Sequence, residues 1–200
     1  MSLNIISENE QRISVELKGI PLQYANALRR ICLNGVPVYA IDTIDVISNT
    51  SVLADEGVAH RLGLIPLKTE ISAIQENNES DKIMLTLDVD AESDSITVFS
   101  SELKSQDDIV KPVSDNIPIV TLAPNQKLKI EAYARLGRGI EHAKWNSSNI
   151  ATLTESENDD VRILTVETTG ALDPRHIVLS SVEELSKRLV EFKDLVSNLK

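Results

Sequence analysis

Three histidines, one cysteine and a scatter of carboxylates are the residues of this chain that could carry chemistry. Cys32 beside a histidine would make a nucleophile and its base, the thiolate attacking while the imidazole holds the proton. The histidines are His60, His142 and His176, and no two stand four apart, the helical spacing that lets two imidazoles share a zinc ion. A single cysteine allows neither an internal disulfide nor a multi-cysteine metal site. Cys32 also falls on the apolar face of its predicted helix, so a buried structural thiol is the favoured reading and a cysteine–histidine hydrolase the alternative. Gly137-Arg138-Gly139 matches half of a phosphate loop but lacks the third glycine and the Lys-Ser/Thr that would follow. The carboxylates form no recognisable acid–base or metal-binding pattern. No catalytic residue and no metal ligand is assigned.

The elements that must hold these residues follow from composition and periodicity. Two hundred residues, 42% hydrophobic and 26% charged, suffice for one substantial core or two small ones. No apolar run is long enough to cross a bilayer. Met1-Ser2-Leu3-Asn4 lacks the basic-then-apolar pattern of a secretory signal, so a cytoplasmic location is expected. The net charge of −11 repels phosphate backbones, and any nucleic-acid role is expected to run through other proteins. Much of the acid sits in Glu76-Asn77-Asn78-Glu79-Ser80-Asp81 and Glu155-Ser156-Glu157-Asn158-Asp159-Asp160, which read as solvated loops.

Ile13, Val15 and Leu17 alternate with polar residues, and Leu3 to Ile6 is a suitable partner strand across the turn Ser7 to Gln11. A helix follows Pro21, with Leu22, Ala25, Leu28 and Cys32 on one face and Asn34-Gly35 as its stop. Arg29 and Arg30 lie off that face. From Val38 to about Trp145 period-two runs predominate, including Ile83 to Val89, Ile96 with Val98, and a hairpin candidate joining Ile117–Leu122 to Leu128–Ala134. A short helix interrupts around Ala54 to Leu62. After Trp145 a polar loop leads to a strand over Val161 to Thr168. Asp173-Pro174 then supplies an N-cap and a first-position proline for a final helix. The order describes an α+β protein: an α/β layer made from both chain ends, with a mostly β segment inserted between them.

Along the last helix Val178, Val182, Leu185, Leu189, Phe192, Val196 and Leu199 recur at steps of four and three, a heptad pattern within a stripe roughly 120° wide. Over residues 174–199 such a helix runs roughly 39 Å. A two-strand layer is too small to cover that length, so part of the stripe is expected to meet another protein.

Three peptides carry a resemblance. Asn26-Ala27-Leu28-Arg29-Arg30, Ala59-His60-Arg61-Leu62-Gly63-Leu64-Ile65-Pro66-Leu67 and His142-Ala143-Lys144-Trp145 occur in this order, followed by the Gly170 to Val178 signal. Together they resemble the alpha-like subunit family of multisubunit DNA-directed RNA polymerase in its archaeal form, a family related to the N-terminal domain of bacterial alpha. The resemblance implies a discontinuous α/β dimerisation domain, residues 1–41 and 151–200, with an inserted mostly β domain at 42–150. It implies a heterodimer with the smaller alpha-like subunit L through the seven stripe residues. Small zinc-binding subunits and the large catalytic subunits would assemble on that dimer, with magnesium held only by a large subunit and DNA met only through the complex. It assigns Arg29, Arg30, His60, Arg61 and Lys144 to contacts with a large subunit. Solvation of the arginines and of Lys144, with Trp145 packed inside, is the simpler alternative. Leu62, Leu64, Ile65 and Leu67 are expected in the insert core. Some relatives carry a cysteine-rich insertion with an iron–sulfur cluster or zinc, which Cys32 alone cannot hold, so no cofactor is expected in this chain. Where a proline often follows the tryptophan, this chain has Asn146-Ser147-Ser148-Asn149.

Overall fold

The computed structural model describes residues 2–70, 82–155 and 161–199. The acid-rich stretch 76–81 and most of the second one, 156–160, lie outside the described residues. Along the chain come β1 (Ser2–Glu8), β2 (Arg12–Lys18), α1 (Leu22–Asn34), β3 (Val38–Asn49), α2 (Asp55–Gly63) and β4 (Ile83–Ala91). These are followed by β5 (Ile96–Phe99), β6 (Lys104–Ser105), β7 (Pro118–Leu122), β8 (Gln126–Gly137), β9 (Ser148–Glu155) and β10 (Val161–Thr168). A final helix, α3, spans Pro174–Ser197. Among the described residues no helix is long and apolar enough to cross a membrane.

Two compact units result: Met1–Pro37 with Arg138–Lys200, and Val38–Gly137. The divisions fall earlier than residues 41 and 150. β3 and β8 stay paired as far as Val38 opposite Gly137, which keeps residues 38–41 in the insert. Ser147 and Ser148 donate to the Cys32 carbonyl, in the last turn of α1, which ties the segment after β8 to the end unit.

The end unit is an antiparallel sheet in the order β1-β2-β10-β9. β1 and β2 form the expected hairpin, its turn closed by the Asn9 side chain accepting from the Gln11 and Arg12 amides. The alternation of β2 buries Ile13, Val15 and Leu17, and β10 adds Leu164 and Val166. Where a polar loop was expected after Trp145, Ser148 begins β9. Its pairing with β10 gives backbone partners to a sequence that shows only Ala151 and Leu153 as apolar alternation. The layer therefore has four strands rather than two.

In α1 the buried residues are Ala25, Leu28, Ile31 and Cys32. Leu22, expected in this stripe, is 45% exposed, because the first turn carries it roughly 100° round the helix from the stripe's centre. α3 starts as its sequence dictates: the Asp173 carboxylate accepts from the Arg175 amide at 2.9 Å, and Pro174 takes the first position. The bend before it needs Gly170, whose φ of 91° disfavours any side chain.

The insert unit holds a sheet in the order β3-β8-β4-β6 and a two-stranded sheet of β5 and β7. The hairpin expected between the Ile117–Leu122 run and the next strand does not form. β8 has β3 on one edge and β4 on the other, so β7 pairs with β5 instead, Val120 opposite Val98. α2 buries Val58 and Leu62 beside Ile65 and Leu67 in the insert core. Leu64 departs from the expectation. It caps α2, and the tight turn that sends the Leu64 and Ile65 amides to the Arg61 and Leu62 carbonyls leaves its side chain half-exposed. On the outer face Lys129 meets Asp88 at 2.7 Å, and that hydrogen bond holds the Asp88 carboxyl below its usual range.

Candidate functional site

The nucleophile reading fails on geometry. Cys32 has no exposed surface, whereas His142 and His176 are exposed on the same unit and His60 lies on the exposed side of α2 in the other. Burial pushes the Cys32 thiol up to about 11, against a smaller opposing pull from the Ser181 hydroxyl. Iodoacetamide is therefore expected to leave folded Cys32 unmodified near neutral pH and to label it rapidly in denaturant, with mass spectrometry as the readout. Rapid labelling of the folded chain would restore the hydrolase reading. Among the described residues no group of three or more His, Cys, Asp or Glu is placed to hold a metal ion.

What stands out instead is α3. Its first two turns pack on the chain's own unit, burying Ile177, Val178, Ser180 and Ser181. Val178 is only 8% exposed and belongs to that packing, so the uncovered stripe begins at Val182. Leu185 is half-buried. From Ser186 onward every described residue is exposed, including Leu189 at 54%, Phe192 at 65%, Val196 and Leu199. Leu195, absent from the heptad reading, is 69% exposed and widens the stripe. At about 100° per residue it stands within one residue step of both Phe192 and Leu199. Even a four-stranded sheet leaves half the helix uncovered. A helix of this kind depends on burial of its apolar face for stability, and among the described residues nothing covers that face.

The other positions separate. Arg29 is half-buried: its guanidinium donates to the Ala151 carbonyl at 3.2 Å and to the Asn26 side chain at 3.0 Å. Arg30 is exposed. His60 and Arg61 are exposed, although Arg61 donates to the Pro118 carbonyl at 2.7 Å. Trp145 is 3% exposed, with the Lys144 ammonium 4.3 Å from its ring centroid and the His142 ring edge-on. Lys144 is thus engaged with its own unit.

The fold thus comprises a discontinuous α/β unit, a β insert and a long helix whose second half presents an exposed apolar face. The family model for the RNA polymerase Rpb3/RpoA insert domain matches residues 44–157, more than half of the chain. The chain belongs to that family. It is 46% identical over 146 residues to the DNA-directed RNA polymerase subunit Rpo3 of Pyrococcus furiosus, a match covering 72% of this chain and 56% of the relative. The subunit of the same name from Pyrobaculum aerophilum is 40% identical over 154 residues, 72% and 58% of the two chains. That from Methanosphaera stadtmanae is 36% identical over 158 residues, 74% and 58%. The matched stretch thus spans little more than half the length of these relatives.

Proposed function

We propose that this chain is a non-catalytic assembly-platform subunit of a multisubunit DNA-directed RNA polymerase, of archaeal type. The observation that carries the proposal is the uncovered half of α3, read beside membership of the Rpb3/RpoA insert family. Val182, Leu185, Leu189, Phe192, Val196 and Leu199 meet the smaller alpha-like subunit L, which shields them from water at ~25 cal/mol per Å² of apolar surface buried. The resulting heterodimer docks the large catalytic subunits and small zinc-binding subunits. Arg30 and His60, exposed in the chain, are the positions of the large-subunit set best able to reach such a neighbour. Magnesium and the nucleotidyl-transfer chemistry belong to a large subunit, DNA is met through the complex, and the assembly is cytoplasmic.

Co-expression with an L-type subunit followed by size-exclusion chromatography tests this. Co-elution as a one-to-one complex is expected. A chain whose elution is unchanged by that partner would contradict the proposal, and self-association of the isolated chain by mass photometry would replace it with a homodimer.

A further inference from the structure

Gly137-Arg138-Gly139 offered half of a phosphate loop in the sequence, and its geometry serves a different purpose. The Arg138 guanidinium donates to the Glu184 carboxylate at 2.9 Å, with the two side chains only 21% and 15% exposed. Glu184 lies on α3 one turn beyond Ser181, the last fully buried residue of that helix, and two residues before Ser186, where the fully exposed stretch begins. Arg188 extends the pair from the next turn at 3.9 Å. The contact therefore falls where α3 leaves its own unit.

The Arg138 end is itself anchored. Its amide donates to the Glu141 carboxylate at 3.0 Å, and the Ile140 amide donates to the Asn34 carbonyl at the end of α1. Gly139 presses so closely on α1 that an added Cβ would lie 2.8 Å from the Asn34 Cα and collide with the Asn146 side chain. The glycine is there for close approach, and no phosphate is needed to explain it.

We infer that Arg138 and Glu184 form an orienting brace, which transmits the position of the α1 end to α3 and sets the angle at which its free half is presented to a partner. Residues 186–197 extend roughly 18 Å beyond the brace, so a tilt of about 10° there moves the tip by roughly 3 Å. That displacement is large against the close packing of an apolar interface. Arg138 and Glu184 are positioning residues and need not touch the partner. The inference rests on the reading of the free stripe as the partner surface.

The test uses the full chain with the co-expressed smaller alpha-like subunit and measures the dissociation constant beside the Tm of the isolated chain. Glu184→Gln is expected to weaken binding roughly tenfold by loss of preorganisation, with little change in Tm, whereas Gly139→Ala, whose Cβ is forced against Asn34, should weaken binding and lower the Tm as well. Glu184→Arg should weaken it further, and combining it with Arg138→Glu should restore most of the affinity while the Tm stays near the parent's throughout, which a merely local stability effect would not give. Leu189→Asp is run in parallel. If it abolishes binding while Glu184→Gln binds like the parent, the brace is wrong and the stripe stands. If neither variant weakens binding, the stripe reading falls and takes the brace with it. A reversed pair no better than Glu184→Arg alone also overturns the brace.

Discussion

Leu189→Asp is expected to abolish association with the smaller alpha-like partner while leaving the isolated chain folded with an almost unchanged Tm. Leu189 is 54% exposed on the free half of α3, so in the lone chain the new carboxylate stays in water. The substitution then costs only the difference in helix propensity, roughly 0.5 kcal/mol. In the complex the same carboxylate would be buried without a partner, costing on the order of 3–5 kcal/mol, or roughly a hundredfold to a few thousandfold in affinity. Leu179→Asp supplies the control. Leu179 is also 54% exposed, but it stands roughly 80° round the helix from Leu189, outside the stripe. It should bind as the parent does. Retention of the heterodimer by the Leu189 variant in a pull-down would contradict the assignment, and equal loss in both variants would point to damage of the helix rather than of an interface.

Trp145→Ala is the substitution expected to cost the end unit most of its stability. Trp145 is 3% exposed, capped by the Lys144 ammonium at 4.3 Å and flanked by the His142 ring at 6.5 Å. It ends the short turn in which the Trp145 amide donates to the His142 carbonyl, directly before Ser147 and Ser148 bond the end of α1. Removing the indole leaves a cavity that rigid neighbours cannot fill, a loss of roughly 3–5 kcal/mol. In a protein of this size that corresponds to a fall in Tm of roughly 10 °C. Circular dichroism is the appropriate readout, since Trp145 is the sole tryptophan and its fluorescence leaves with it. A Tm within a degree or two of the parent would mean that Trp145 is a replaceable surface group, and its role would then have to be sought at an interface.

How legible each part was in the sequence depended on whether its signal was local. Ile13, Val15 and Leu17 announce β2 because burial on one face of a strand leaves a period of two. Asp173-Pro174 announces α3 because capping is settled within a single turn. β9 was hidden, since Ser147 and Ser148 are buried through hydroxyl bonds to the Cys32 carbonyl, 115 and 116 positions away, and look like loop residues until that partner is known. The pairing of β7 was hidden for a related reason. A short turn favours sequence neighbours, but β8 already has both edges occupied. The α3 stripe was legible as apolar, yet the point at which it leaves its own unit, between Leu185 and Ser186, depends on where the sheet ends. The brace lay outside any motif, because Arg138 and Glu184 are joined only by the fold.

The discontinuity of the end unit sets an order of events during synthesis. β2 lies between β1 and β10, and Val15 faces Leu164, a strand made about 150 residues later. Until β10 emerges, the β1–β2 hairpin stands as a two-stranded ribbon, which is marginal in water. The insert has no such wait. It can close once β8 has been made, and its pairing of Val38 with Gly137 brings the two flanking segments side by side. Excising those 100 residues from the loop between β2 and β10 lowers the closure cost by roughly 1 kcal/mol. With that loop shortened, lesions in the core of the insert are expected to slow assembly of a sheet to which it contributes no strand.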